Sequence, residues 1–201
     1  MVEHPQVVEF SFDGIRYLIK DHEKVKSLFN EYLNGTNTSQ THKRQLVKQF
    51  TTEIVKHASS EERYLYPILL EKMGNEQAKL LYNKNLLDDL ITKEMLRFFE
   101  TSVIRNDFDW HVFDKAVRKF IEMELHHIEE EEKDVFPIIR QSLNEEELAT
   151  LEDAIKWAKD HGPTHPHPME SMTNPQAAIT HPVTGRLDRL RDEREQNAMK
   201  D

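Results

Sequence analysis

Two stretches of this chain, 70 residues apart, repeat one pattern. The first is IVKHASSEERYLYPILL, starting at Ile54, and the second is ELHHIEEEEKDVFPIIR, starting at Glu124. Each holds a histidine, a glutamate four residues on, and an aromatic–proline pair. The matching residues are His57, Glu61 and Tyr66-Pro67 against His127, Glu131 and Phe136-Pro137. His126 breaks the proline spacing, so His127 is the equivalent of His57. On an α-helix, positions i and i+4 lie one above the other on the same face. Each stretch therefore aims one imidazole and one carboxylate at a common point.

The rest of the chain supplies helices to carry them. Ile15, Leu18, Ile19, His22, Val25 and Phe29 recur at three- and four-residue steps, which predicts a first helix from about Phe12 to Leu33. Asn34 to Thr38 reads as a loop. A second helix is expected from Gln40 to Met73, with Leu46, Phe50, Ile54, His57 and Glu61 on one stripe. Gly74-Asn75 ends it, and a third covers about Glu76 to Ser102. Asn106 to Asp109 reads as a turn and cap before a fourth, Trp110 to Leu143. Asn144 caps a shorter helix, about Glu145 to Lys159. The fold class predicted is all-α: an antiparallel up-down four-helix bundle with a fifth short helix. Residues 1–160 form the bundle. From His161 the composition changes, with four prolines in the fifteen residues to Pro175. Residues 161–201 are expected to be an extended C-terminal tail, with a last helical piece over Leu187 to Asn197.

Composition narrows the chemistry. There is no cysteine, which excludes thiolate zinc sites, iron–sulfur clusters and thiol nucleophiles. A net charge of −10 argues against nucleic acid as a partner. No apolar run approaches the roughly 20 residues of a membrane helix. Met1 to Phe10 has no basic start or apolar stretch of a secretory signal. The expectation is a soluble, cytoplasmic protein.

Two imidazoles and two carboxylates converging in a bundle core suit a pair of metal ions. Neutral imidazole fits iron, and carboxylates bridge cations while offsetting their charge. One HxxxE alone is commonly a solvated pair; two copies ending alike on apolar stripes point to a metal site. A weaker repeat adds to it: Asp21-His22 aligns, 67 residues on, with Asp88-Asp89. His22 falls on the apolar face of the first helix and joins the set. Asp89 is its counterpart on the third, and a one-residue slip would select Asp88. Tyr64 lies on the stripe of Glu61, either as a packed aromatic or as a phenol near the metal, and its counterpart Asp134 is a candidate to orient a histidine. His4, His42 and His111 read as surface or loop. His161, His165, His167 and His181 read as structural or neutral in a Pro-rich tail.

These residues resemble the hemerythrin-like, or HHE cation-binding, family over about residues 12–143. The later stretch is similar, more loosely, to the C-terminal extension of longer members. The resemblance implies a bundle around two iron ions, oxo- or hydroxo-bridged, with Glu61 and Glu131 as bridging carboxylates and His22, His57 and His127 as terminal ligands. It implies dioxygen, peroxide or nitric oxide as the small-molecule ligand. The chain departs from the family on the third helix, where Asp89 stands in place of a histidine. A carboxylate adds negative charge and a harder donor, which favours the oxidised metal and works against reversible dioxygen carriage.

Three functions follow as expectations: a non-haem di-iron protein that carries or senses dioxygen or responds to iron, a di-iron catalase-like enzyme that decomposes peroxide, and a module whose tail reports metal occupancy to a partner. A ferritin-like oxidase ranks below them, because Glu124-His127 has no second Glu-x-x-His copy among the core helices.

Overall fold

A computed structural model describes residues 12–105, 109–170 and 176–198. Helix α1 (Gly14–Asn34) begins where the Asp13 carboxylate accepts from the backbone N–H groups of Ile15 and Arg16. Ser39 caps α2 (Gln40–Ser60) by accepting from His42 N–H. This rod does not run unbroken to Met73 as the periodicity predicts. Glu61–Leu65 is a π-helical turn, after which α3 (Tyr66–Met73) resumes. Gly74, with φ at 60°, closes α3 in the left-handed region that glycine tolerates. Helix α4 spans Glu76–Arg105. The fourth rod repeats the second: α5 (Trp110–Glu130), a π turn at Glu131–Val135, then α6 (Phe136–Ser142).

The prolines explain both interruptions. Pro67 and Pro137 lack an N–H, and in a regular helix each ring would collide with the carbonyl four residues back. Widening the preceding turn accommodates the ring. Tyr66 N–H then bonds Glu61 C=O, and Phe136 N–H bonds Glu131 C=O, five residues back.

Helices α1, α2, α4 and α5 pack in a closed ring of neighbours, the expected bundle. The core has two apolar halves. One gathers Phe29, Phe50, Phe99 and Phe120; the other gathers Leu18, Leu65, Tyr66, Phe136 and Ile155. Helix α7 (Glu145–His161) is held at its start by a reciprocal Asn144–Glu147 capping box. It packs on α1 and α2 and supplies Leu148, Leu151 and Ile155 to the second half.

The tail departs from the expected helical piece. Helix α8 runs over Gln176–Ala198, starting eleven residues before Leu187 and containing Pro182. It lies close on the chain at the end of α7: a Cβ on Gly185 would collide with the carbonyl oxygen of Gly162. Of the predicted turn before α5, Asn106, Asp107 and Phe108 lie outside the described residues, as do His4 and Met1 to Phe10. Asp109 caps α5 by accepting from His111 and Val112 N–H. No helix among the described residues is long and apolar enough to cross a membrane.

Candidate metal centre

Between the two apolar halves lies one buried polar layer. His22 comes from α1 between Leu18 and Val25, which belong to opposite halves. His57 comes from the last turn of α2 and His127 from that of α5, Glu61 and Glu131 open the π turns that follow, and Asp89 comes from α4. All six are buried, and Glu61 and Glu131 are fully so.

The Nε2 atoms turn inward. His22 Nε2 lies 3.0 Å from His57 Nε2. His57 Nε2 is 3.1 Å from Glu61 Oε2, the i to i+4 pair of the first motif. His22 Nε2 is 3.5 Å from Glu131 Oε2, and His127 Nε2 is 3.7 Å from the same oxygen. Asp89 Oδ1 lies 3.8 Å from His127 Nε2. His22, His57, Glu61 and Glu131 each offer an atom within 4.8 Å of the others.

The Nδ1 atoms turn outward, each to a carboxylate held by a lysine. His57 Nδ1 faces Asp21 Oδ2 at 3.5 Å, and Lys159 donates to Asp21. His127 Nδ1 faces Asp88 Oδ2 at 3.7 Å, and Lys84 donates to Asp88. His22 Nδ1 lies 2.9 Å from Glu132 Oε1, which also accepts from Lys26. A carboxylate facing Nδ1 favours a proton on that nitrogen and so turns Nε2 toward a cation; the contact is a hydrogen bond at His22 and a longer approach at His57 and His127. The two aspartates thus divide their work: Asp88 stands behind His127, while Asp89 points into the layer.

The layer carries surplus acceptors. Glu61 Oε1, Glu131 Oε2 and Asp89 Oδ2 are buried without a hydrogen-bond partner. Such oxygens are costly unless a cation or donor meets them. The electrostatics agree. Burial opposes protonation of His57 and His127, yet Glu61 with Asp21, and Glu131 with Asp88, hold both well above the usual imidazole range, so the acids draw to each Nε2 a proton that a cation would displace. Burial and the neighbouring Glu62 push Asp89 well above the carboxylate range. Glu131, despite burial, is held at about 2 by His127, His22 and His57. Imidazoles and unpaired carboxylate oxygens together fit a first-row metal cation.

Tyr64 is not in the layer. Its hydroxyl accepts from Arg63 at 3.1 Å, and Tyr66 takes the inward place instead. Tyr66 hydroxyl lies 2.9 Å from Glu131 Oε1 and 3.3 Å from Glu61 Oε2, linking the two motifs. The π turn is the cause: it adds a residue to the turn, so the inward position after Glu61 falls on residue 66. Burial and the surrounding acids keep this phenol protonated. Its counterpart Phe136 stacks on the His22 ring, centroids 5.3 Å apart. Asp134 is exposed, and it is Asp21 and Asp88 that back the histidines. The aromatic–proline pair carried this signal in the sequence.

Residues with no place in the sequence-predicted site surround the layer. Glu62, fully buried, accepts from Lys93 at 2.6 Å, and its charge helps push the Asp89 carboxyl up. His181 of α8 is buried against it: His181 Nδ1 is 2.7 Å from Ser59 Oγ, and its Nε2 is 3.7 Å from Glu62 Oε2. Glu124 accepts from Thr92 at 2.9 Å beside His127. Among the other tail histidines, His165 faces Glu100 and Asp192, and His167 faces Asp188.

Comparison with known proteins agrees with this geometry. Residues 13–139 match the sequence profile of the Hemerythrin HHE cation binding domain. The chain is 29% identical over 175 residues to an uncharacterized hemerythrin-like protein of Schizosaccharomyces pombe, covering 87% of this chain and 83% of that one. It is 27% identical over 139 residues to a DNA nickase of Nostoc, covering 69% of this chain but 37% of that protein. No solved structure matches. In its buried layer His22, His57, Glu61 and Glu131 form a group that could hold a metal ion, and the chain belongs to the hemerythrin HHE cation-binding family.

Proposed function

We propose that this chain is a non-haem di-iron protein whose metal pair meets dioxygen, peroxide or nitric oxide, with His22, His57, Glu61, Asp89, His127 and Glu131 as its ligands. The observation that carries this is the convergence of three Nε2 atoms and three unpaired carboxylate oxygens in one buried layer. Iron, when bound, supplies the redox electrons that such small molecules exchange. The protein's own part is to orient. Asp21, Asp88 and Glu132 face the outer nitrogens of the imidazoles and orient the rings, Tyr66 donates to Glu131, and apolar halves flank the layer. The second relative's nicking activity is not carried over, since the match covers 37% of that protein and a net charge of −10 disfavours a phosphate backbone. The test is metal analysis with a visible spectrum after anaerobic iron loading and exposure to air. About two irons per chain with oxo-bridge absorption bands is the expected result; fewer metals or no bands overturns the proposal.

One observation favours peroxide turnover as a second reading. A cavity of about 250 Å³ between α4 and α5 is lined by His127, Glu124 and Thr92 and gives a small molecule a way to the layer. Burial pushes the Glu124 carboxyl up, so it holds a proton more readily than an exposed acid. Oxygen evolution from peroxide, lost in Glu61→Ala and His127→Ala, separates this from binding alone.

A further inference from the structure

Helix α4 leaves an apolar seam on the outside of the bundle. Leu80, Leu87, Ile91 and Phe98 are 70%, 55%, 42% and 56% exposed. With Lys84 and Glu94 they sit at alternating steps of four and three residues, the spacing of a coiled-coil seam. From Leu80 to Phe98, about 27 Å of helix, this is one continuous stripe.

The order of residues along the stripe is a palindrome. Leu80 and Phe98 are nine residues either side of position 89, Leu87 and Ile91 are two either side, and Lys84 and Glu94 are five either side. When two identical helices pack antiparallel about a two-fold axis at that level, each position faces its mirror position on the partner. Leu80 then meets Phe98, Leu87 meets Ile91, and the cation Lys84 meets the anion Glu94. The apolar layers and the charged layer are complementary in a single register. Shifting that register by one heptad leaves apolar residues unpaired at both ends.

We propose that the outer face of α4 is an isologous docking surface for a second copy of this chain. The inference is independent of what the centre binds. The charges are placed for it: Lys84 and Glu94 are both about half exposed, with side chains 45% and 44% accessible. Lys84 bonds Asp88 and Glu130 within its own chain, and its ammonium has a third N–H for the partner. The same face holds the mouth of the cavity lined by Lys84, Asp88, Ile91 and His127, so the second copy also covers that route toward the centre.

A second exposed stripe, Ile179, Val183, Leu187 and Leu190 on α8, provides the control. Sedimentation velocity of the full chain at micromolar concentration is expected to show a dimer. Leu87→Lys is expected to weaken dimerisation at least about tenfold, a change of about 1.4 kcal/mol, with helical content retained in circular dichroism. Leu187→Lys on α8 is expected to leave the dimer intact. Because the chain has no cysteine, register is testable directly. Leu87→Cys chains mixed with Ile91→Cys chains are expected to form the mixed disulfide faster than either chain cross-links to itself. A monomeric wild type, a dimer lost in the α8 variant but not in the α4 variant, or equal rates of mixed and self cross-linking overturns the proposal.

Discussion

Asp21 and Asp88 are equivalent: they lie 67 residues apart in the chain, and each faces the Nδ1 of the histidine of one HxxxE motif, Asp21 at His57 and Asp88 at His127. The layer therefore has an approximate two-fold relation running through its outer supports as well as its inner atoms. His22 and Asp89, the next residues along, both point inward, and there the symmetry breaks, one imidazole against one carboxylate.

Replacing either support tests that relation. Asp21→Asn and Asp88→Asn keep size but remove the charge that sets the tautomer. Each is expected to weaken metal binding by about 10–100-fold, read by competition with a coloured chelator. Asp134→Asn, at an exposed position, is expected to change nothing.

The two tyrosines give a paired test. Tyr66→Phe removes the hydroxyl that reaches Glu131 and Glu61 in a fully buried site. In the metal-free protein it is expected to cost about 1.5–3 kcal/mol, since the acceptor is ionised and stays buried. Tyr64→Phe removes an acceptor from the buried Arg63 guanidinium but leaves both glutamates paired, and is expected to cost less, about 1 kcal/mol. Urea melts of the two variants decide it.

His181 ties the tail helix to the bundle. His181→Ala removes the bond to Ser59 and leaves Glu62 facing a void. It is expected to cost about 1–3 kcal/mol and to speed trypsin cleavage at Arg186, Arg189 and Arg191. Unchanged cleavage would show that α8 is held by its other contacts, such as Arg189 with the Gly162 carbonyl.

Asp114 lies away from the centre and gives an acid-sensitivity test. Burial opposes its ionisation, but Lys43, Arg118 and the Tyr32 hydroxyl outweigh that and bring its pKa to about 2 from an ordinary 3.8. A depressed folded pKa means the stabilisation is present above the unfolded value and is lost as pH falls through the folded one. The difference in stability between wild type and Asp114→Asn is expected to be largest at pH 5 and to shrink between about pH 4 and pH 2, measured from denaturant midpoints.

The bundle was legible because α1, α2 and α5 carry apolar residues on the inward face at three- and four-residue steps, around Phe29, Phe50 and Phe120. Helix α8 was not, because its polarity is turned over. His181, Gly185 and Asp188 face the protein, while Ile179, Val183, Leu187 and Leu190 face out. With Pro182 and Gly185 inside it, its sequence carries no inward apolar stripe to read. The buried ion pair of Glu62 and Lys93 was hidden for a similar reason: Lys93 sits on α4, 31 residues from its partner, and no local pattern joins them.

What the sequence by itself determined is what repeats at helical spacing: the rods, the HxxxE pairs and the aromatic–proline marks, all set by contacts within a few residues. The tertiary structure alone decided which of Asp88 and Asp89 points inward, that Tyr66 rather than Tyr64 reaches the glutamates, and that the tail helix backs the layer. Those choices turn on a fraction of a helical turn or on partners far apart in the chain. A π turn moves a side chain to another face, and packing between distant elements fixes which face is buried.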